Sequence, residues 1–599
     1  MAASTNIKSG GLVTLTVKVE DAVVSDQFPV KSIEIENRAN RIPKARIEIL
    51  DGDVSSGKFE ASSSSSFKPG NEITIEAGYD SKNEILFKGI ITNQTLRINN
   101  SVRSELVVEC RDKAVKMIVG RKSLSYSKKK DSEIITSIIG NYSGLSADVT
   151  STSATWDEQV QYDTTDWDFV LSRAEANGLI VTVLNGKISI QKPDAQTSPV
   201  LEIKYGQNLI EFNADINAVT QLTEAKASSW DYQNQEIVTG EASNSYAGPG
   251  NLSSSELAEV VKLSDYQLKT SGSLQESDLT NWSKAQLVKS SFSKIQGEVR
   301  FQGTELVNAG HFITLSGVGE RFSGDYLVSG VVHNISMGNW TTEAVLGLTP
   351  VWFSNEPDIM SPPAAGLLPG VRGLFNATVK KIYEDPNSQY RILVDVPLFD
   401  QGGEGIWARL TNFYSTNGAG VFFLPEVGDE VIIGFLNEDP RYPIILGSVY
   451  SSTKIKPFEG LEPNEKNSKK AIVSKSGIYL EFDDEDKILT ITTPAKNKVI
   501  CSDKDKQITV QDQNNNSIVM SESGITIKSE KDINIDAGQN LTLKGNQGVS
   551  IESATGDVST SGMNVKVQAD TQYSVEGGET AQINSSIELS LNSEMIMIN

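Results

Sequence analysis

Side chains able to do chemistry are sparse in this 599-residue chain, and their spacing limits what they can do. The densest group is Asp483-Asp484-Glu485-Asp486. Paired carboxylates serve glycoside hydrolysis, and clustered oxygen donors serve hard cations. This run, however, separates two apolar alternations, Ile478/Leu480/Phe482 and Leu489/Ile491, and so reads as the solvated loop of a β-hairpin. Only two histidines occur, His311 and His333, both in β-rich stretches, and no Ser-His or Cys-His arrangement accompanies them. Gly418-Ala419-Gly420 is an isolated Gly-x-Gly that suits a turn better than a phosphate cradle. Lys128-Lys129-Lys130 reads as a solvated turn, not a phosphate site. Cys110 and Cys501 stand in different segments, so no disulfide framework is implied. The expectation is a chain without catalytic residues, cofactor or metal.

Composition bounds the rest. Hydrophobic residues at 38% and charged residues at 22% describe a folded, soluble protein. The length exceeds what one core organises, so several domains are expected. A formal charge of -23 argues against nucleic acid as a partner. Met1-Ala2-Ala3-Ser4-Thr5 lacks the charged and apolar regions of a signal peptide, and no apolar run is long enough to span a membrane. Cytoplasmic synthesis and assembly are expected, with any outward delivery by another route.

The strongest organising signal lies in the last hundred residues. Apolar pairs recur every eight positions at Ile525/Ile527, Ile533/Ile535, Leu541/Leu543 and Val549/Ile551. After one turn expected to fall out of phase, at Gly556-Asp557-Val558-Ser559, they resume at Val565/Val567, Tyr573/Val575, Ala581/Ile583 and Leu589/Leu591. A spacing of two puts both side chains of a pair on one face of an extended segment, and the residues between pairs suit turns or a solvated face. Eight residues reach only about 27 Å when extended, too little for one chain to circle an apolar axis. Three copies winding together enclose one, each supplying a wall per turn, and closure pairs backbone groups that would otherwise be open edges. The period therefore predicts a homotrimeric, intertwined β-helix over 471–599, entered by a hairpin. A flat antiparallel array of short strands is the plainer reading of the same pattern.

Residues 1–365 read as mostly β. Strands are expected at Leu15-Val17-Val19, Ile33-Ile35, Ile47-Ile49 and Ile73-Ile75, with a flexible loop tip at Ser62–Ser66. A helix should follow Asp131 or Ser132, carry Ile134, Ile135, Ile138 and Ile139, and stop near Gly140. A second should start at a capping box with Thr165 as N-cap and Asp168 at N3, bury Trp167, Val170, Leu171 and Ala174, and stop at Gly178. Trp282, Ala285, Val288 and Phe292 suggest a third. Ser361–Gly366 marks a linker. A module over 371–455, with strands expected at Tyr390–Val396, Gly420–Leu424, Glu430–Phe435 and Ile444–Val449, fits a small barrel such as an OB-fold, and residues 456–470 form a second linker.

These residues also carry a family resemblance. Gln161-Tyr162, Thr165-Asp166-Trp167-Asp168-Phe169-Val170, Arg173-Ala174-Glu175 and Gly178-Leu179 resemble a signature of VgrG proteins and phage tail hubs. So do Gly310-His311-Phe312-Ile313, Phe322–Val328 and His333. Pro425-Glu426-Val427-Gly428-Asp429-Glu430-Val431, Gly434-Phe435, Asp439-Pro440, Pro443, Gly447-Ser448 and Tyr450 resemble the OB-domain motif of VgrG and of the phage cell-puncturing protein. Ser476-Gly477-Ile478 and Phe482-Asp483-Asp484 resemble the segment leading into a VgrG needle.

The resemblance implies a mainly β protein with hub β-barrels carrying a few helices, an OB-fold neck and a trimeric needle. It implies a non-enzymatic spike of a contractile injection system that caps an inner tube, contacts baseplate proteins and pierces a target membrane when a sheath contracts. Only 26 residues separate Tyr450 from Gly477, too few for the lysozyme domain some phage spikes insert there, and the chain is expected to carry no appended effector. Met595-Ile596-Met597-Ile598 breaks the alternation and is expected to meet a PAAR-like tip protein. The competing reading is a trimeric fibre or adhesin whose β-helix binds a receptor or glycan.

Overall fold

The computed structural model describes residues 11–24, 26–99, 102–263, 265–356, 359–399, 403–451 and 453–598. Met1–Thr5 and Asn599 therefore lie outside the described residues. The chain divides into two compact units, Met1–Val449 and Tyr450–Asn599, and it is mainly β.

The first unit is built on a thirteen-stranded sheet. Its long strand Gly324–Ser336 explains how two cores become one body. Residues 330–336 pair antiparallel with Val30–Arg38, setting His333 opposite Ile35 and Ile335 opposite Ile33. Residues 324–327 pair with Phe312–Ser316. Ile335 packs into a core with Ile33, Ile47, Ile73 and Trp340, while Tyr326, Val328 and Val331 pack into another with Val299, Phe301 and Leu315. The expected strands form as Val13–Val19, Val30–Arg38, Lys44–Leu50 and Glu72–Tyr79, because alternation buries one face. Gly303 lies beneath the Trp340 indole, where a Cβ would come within 2.1 Å of the ring.

Both expected helices form and share a third core. Helix α1 (Asp131–Gly140) buries Ile134, Ile135, Ile138 and Ile139. Helix α2 (Asp166–Ala176) starts at Thr165 with half of the expected box: Thr165 Oγ1 accepts the Asp168 N–H at 3.1 Å, but the Asp168 carboxylate takes the Thr165 hydroxyl at 2.6 Å instead of the Thr165 backbone N–H. The chain leaves it through Gly178 at φ +68, a conformation costly for other residues. A short helix, α3 (Ser254–Ala258), has no counterpart in the hydrophobic pattern. In α4 (Glu276–Phe292) Ala285 and Phe292 are buried, but so are Ser283, Lys289, Ser290 and Ser291, satisfied by hydrogen bonds and so invisible to a reading based on apolar spacing.

Three local expectations need correction. Lys128–Lys130 is not a turn: it ends the strand Lys122–Lys130, paired with Thr155–Thr164, with φ +51 at Lys128. The Ser62–Ser66 tip is anchored, since the Asp51 carboxylate accepts the N–H groups of Ala61 and Ser62 at 3.0 and 2.8 Å and Phe67 is buried beneath it. Gly420–Leu424 is not a strand beyond the two-residue piece Ala419–Gly420, and Phe422 and Phe423 stand exposed.

A five-stranded closed barrel also belongs to the first unit. It runs Phe375–Lys381, Ile392–Asp395, Ile406–Leu410, Pro443–Ser448 and Glu430–Phe435, closing back on the first strand. Val379, Val394, Ala408, Val431, Ile433 and Ile445 fill it. Two of its strands, Phe375–Lys381 and Ile406–Leu410, lay outside the predicted set.

The second unit starts as an antiparallel meander of seven five-residue strands, each paired with the next: Lys469–Val473, Tyr479–Asp483, Ile488–Thr492, Lys498–Ser502, Gln507–Gln511, Ser517–Ser521 and Gly524–Lys528. The expected hairpin is thus one step of a longer ladder. From 529 to 598 the described residues form no helix and no strand pairing within the chain. The backbone bends at 530–531, 538–539, 546–547, 554–556, 563, 570–571, 578–579, 586–587 and 594. The eight-residue beat is regular on either side of residues 556–559, where the bend widens to three residues, 554–556, and the next narrows to 563, a local irregularity at the turn expected to be disturbed.

Candidate functional site

The residues that might have done chemistry are held in structural roles. Asp483, opposite Ile488 at the base of its hairpin, accepts the N–H groups of Glu485 and Asp486 through Oδ1, both at 3.1 Å. Lys470 binds Asp484, Lys466 binds Glu485, and Lys504 binds Asp486 at 2.8 Å. The carboxylates splay toward separate lysines instead of converging on a shared point. Among the described residues, no three His, Cys, Asp or Glu side chains are grouped to hold a metal. Gly418 serves the tight turn joining Ser415–Thr416 to Ala419–Gly420.

His333 is buried beside Trp340, with Nδ1 3.0 Å from Thr342 Oγ1, and burial pushes its pKa down to about 4. His311 is also lowered by burial, against the opposing effect of the Leu306 carbonyl 3.2 Å away. Cys110 lies fully inside the first core, where burial, aided by the Glu109 charge, pushes its thiol up and removes its nucleophilicity. Cys501 is in the strand Lys498–Ser502.

The polar residues of the 161–175 block build a buried scaffold. Asp166 accepts from Gln161 Nε2 at 2.9 Å, Lys122 Nζ at 2.6 Å and the Tyr142 hydroxyl at 2.6 Å. Arg173 grips Asp131 through Nε and Nη2 at 2.8 and 2.9 Å, while Trp156 and Asn177 donate to the same carboxylate. Burial alone would raise the Asp131 carboxyl, but Arg173, Asn177 and Trp156 outweigh it and leave it below the ordinary aspartate range. Glu175 binds Lys289 of α4 and accepts the Phe353 N–H at 2.7 Å. Lys294, just past α4, donates to the carbonyls of Ala247, Pro249 and Leu252 at 2.6, 2.5 and 2.7 Å, with its pKa lowered to about 8 by burial. Apart from Gln161 with Asp166, spacing gave no sign of these partners, because the pairs join elements distant in sequence.

The periodic segment is the remaining candidate. Ile525 and Ile527 fall on the last meander strand, opposite Met520 and Ile518. Ile533, Ile535, Leu541, Leu543, Val549, Ile551, Val565, Val567, Leu589 and Leu591 line the extended run, each between 53 and 70% exposed in the single chain. Met595, Ile596, Met597 and Ile598 are exposed as well. No isolated chain in water would keep this row of apolar pairs open beside an unpaired backbone, so the surface is suited to other chains.

Residues 9–337, more than half of the chain, match the Alg8 N-terminal domain, and residues 375–450 match the type VI secretion system/phage-baseplate injector OB domain. The type VI secretion system spike protein VgrG1b of Pseudomonas aeruginosa is 25% identical over 248 residues, covering 39% of this chain and 33% of that one. VgrG1a of the same organism is 27% identical over 192 residues, 30% of each chain. The matched parts thus span about a third of these relatives' length. The 43 kDa tail protein of prophage MuSo2 from Shewanella oneidensis aligns with 56% of this chain and 98% of its own, at 11% identity and a TM-score of 0.43. No described helix is long and apolar enough to cross a membrane. Through residues 9–337 the chain belongs to the Alg8 N-terminal domain family, and it carries a match to the injector OB domain and similarity to type VI secretion system spike proteins.

Proposed function

We propose that this chain is the non-enzymatic, homotrimeric spike and hub of a contractile injection system. The first unit caps an inner tube and meets baseplate proteins, and the periodic segment winds with two further copies into a membrane-piercing needle. The observation that carries this reading is the eight-residue row of apolar pairs from Ile525 to Leu591, exposed and, among the described residues, without strand pairing beyond Lys528. Three copies would bury those pairs around an axis and satisfy the backbone between chains. A closed, fully bonded prism has few soft modes and transmits axial force, and disentangling three chains makes unfolding slow. The segments 1–365, 371–455 and 471–599 serve as hub, neck and needle. Spike-protein relatives and the injector OB domain support the same role.

Light scattering of the full-length chain tests the reading. The expected mass is that of three 65.0 kDa chains, and a stable folded monomer overturns it. A chain lacking 471–599 separates needle-driven from hub-driven assembly. Met595–Ile598 would dock a PAAR-like tip protein: deleting 595–599 is expected to abolish tip binding while leaving the trimer intact, and unchanged tip affinity removes that contact.

A further inference from the structure

A cavity of about 330 Å3 opens in the first unit where the start of α1, the end of α2, the first turns of α4 and the strand Thr155–Thr164 meet. Its volume is at the lower end of the range of small-molecule sites, roughly 300–1,000 Å3. Asp278 and Trp282 line it from one face of α4, four residues apart, and Trp156 and Gln159 line it from the strand. Asp131 and Arg173 complete the polar wall. The two carboxylates there are unequally served. Asp131 is fully engaged by Arg173, Trp156 and Asn177, and the Arg173 guanidinium also lies 5.1 Å from the centre of the Trp156 ring. Asp278 forms no ion pair among the described residues. Burial, with the Asp131 charge adding to it, holds its carboxyl above the ordinary aspartate range, against the Gln275 N–H and the charge of Arg173. Trp282 is partly buried, and its indole has no ring, cation or hydrogen-bond partner among the described residues.

We propose that this cavity binds an organic cation, an alkylammonium or guanidinium group that pairs with Asp278 and lies against the Trp282 indole. Asp131 and Arg173 cancel, so the wall keeps one net negative charge beside an unengaged aromatic ring. A carboxylate and an indole both attract a cation, and a partly desolvated site strengthens both attractions. An anion would be repelled by Asp278. A metal ion would lack ligands, since no three His, Cys, Asp or Glu side chains are grouped to hold one among the described residues. A neutral sugar would stack on the indole but would desolvate Asp278 without offsetting its charge. Two sources supply the right group: the end of a Lys or Arg side chain on a partner protein, and a free polyamine. The site does not depend on the trimeric reading, because every wall residue belongs to the first unit.

Ligand-observed NMR titration of the full-length chain tests the site. N-acetylarginine amide and N-acetyllysine amide stand for a partner's side chain, spermidine for a polyamine, and maltose for a neutral ligand. At least one cationic probe is expected to bind saturably, and maltose is not. Tighter binding of an amide points to a partner's side chain, and tighter binding of spermidine to a polyamine. Asp278→Asn, which keeps an acceptor for the Gln275 N–H, should weaken the bound cation about tenfold, and Trp282→Leu should weaken it by a similar factor. Gln159→Glu, which adds a carboxylate to the wall, should tighten it. The proposal is overturned if none of the three cations binds saturably, if cation affinity is unchanged in Asp278→Asn, or if maltose binds as tightly as the cations. Should Trp282→Leu fail to fold by circular dichroism, Asp278→Asn and Gln159→Glu decide: opposite shifts in affinity support the site, and no shift in either overturns it.

Discussion

The barrel at 375–448 and the run at 529–598 use similar apolar side chains to opposite ends. In the barrel, Val379, Val394, Val431 and Ile445 vanish into a core made by one chain. In the run, Leu541, Leu543, Val565 and Val567 stay more than half exposed. The difference lies in the connections. Each barrel strand is brought beside another strand of the same chain, until the last pairs with the first. The eight-residue bends of the run are spaced too closely for one chain to return around an axis. The meander before it is intermediate: its backbone is paired within the chain, yet Ile472 is still 52% and Phe482 44% exposed. Self-sufficiency in a β segment thus depends on closure more than on hydrophobicity.

Breaking the apolar row should have the largest effect. In the proposed trimer Leu541→Asp with Leu543→Asp would bury unpaired carboxylates in every copy, each costing several kcal/mol, and should abolish the trimer mass in light scattering. Thr542→Asp, on the intervening position, should leave it intact. The contrasting change within the self-sufficient unit is Arg173→Leu, which strands the buried Asp131 carboxylate and should cost about 3–5 kcal/mol in denaturant unfolding, independently of protein concentration. His333 sharpens the comparison by pH. Its folded pKa lies below the unfolded value, so the unfolded state binds the proton more readily between about pH 6.5 and 4, and stability is lost as pH falls through that window. Melting curves should show His333→Gln removing roughly 3 kcal/mol of this acid sensitivity. Smallest is Thr165→Ala at the cap of α2, expected to cost about 1 kcal/mol by the same unfolding measurement.

Much of this was legible without coordinates. The N-cap at Thr165, the isoleucine face of α1 and the alternations at Ile33-Ile35 and Ile73-Ile75 are local patterns, and local patterns survive folding. The acidic hairpin was equally readable, because apolar alternation on both sides left Asp483–Asp486 no other place. Phe422-Phe423 misled, since aromatic residues beside glycines look like a strand whether or not a partner is within reach. Asp131 with Arg173, Glu175 with Lys289 and Lys294 with its three carbonyls were hidden, because no spacing rule links residues of separate elements.

The sequence by itself determined the eight-residue beat and the two-residue spacing of its pairs, because side-chain direction in an extended chain depends only on residue number. Tertiary structure alone decided where the meander pairing stops, after Lys528, since pairing depends on a neighbouring strand and not on residue type. It also decided that the strand Gly324–Ser336 joins two cores and that the 161–175 block is a buried polar scaffold. Those outcomes depend on which distant segments become neighbours, a choice made by the packing of the whole unit and written in no single stretch of residues.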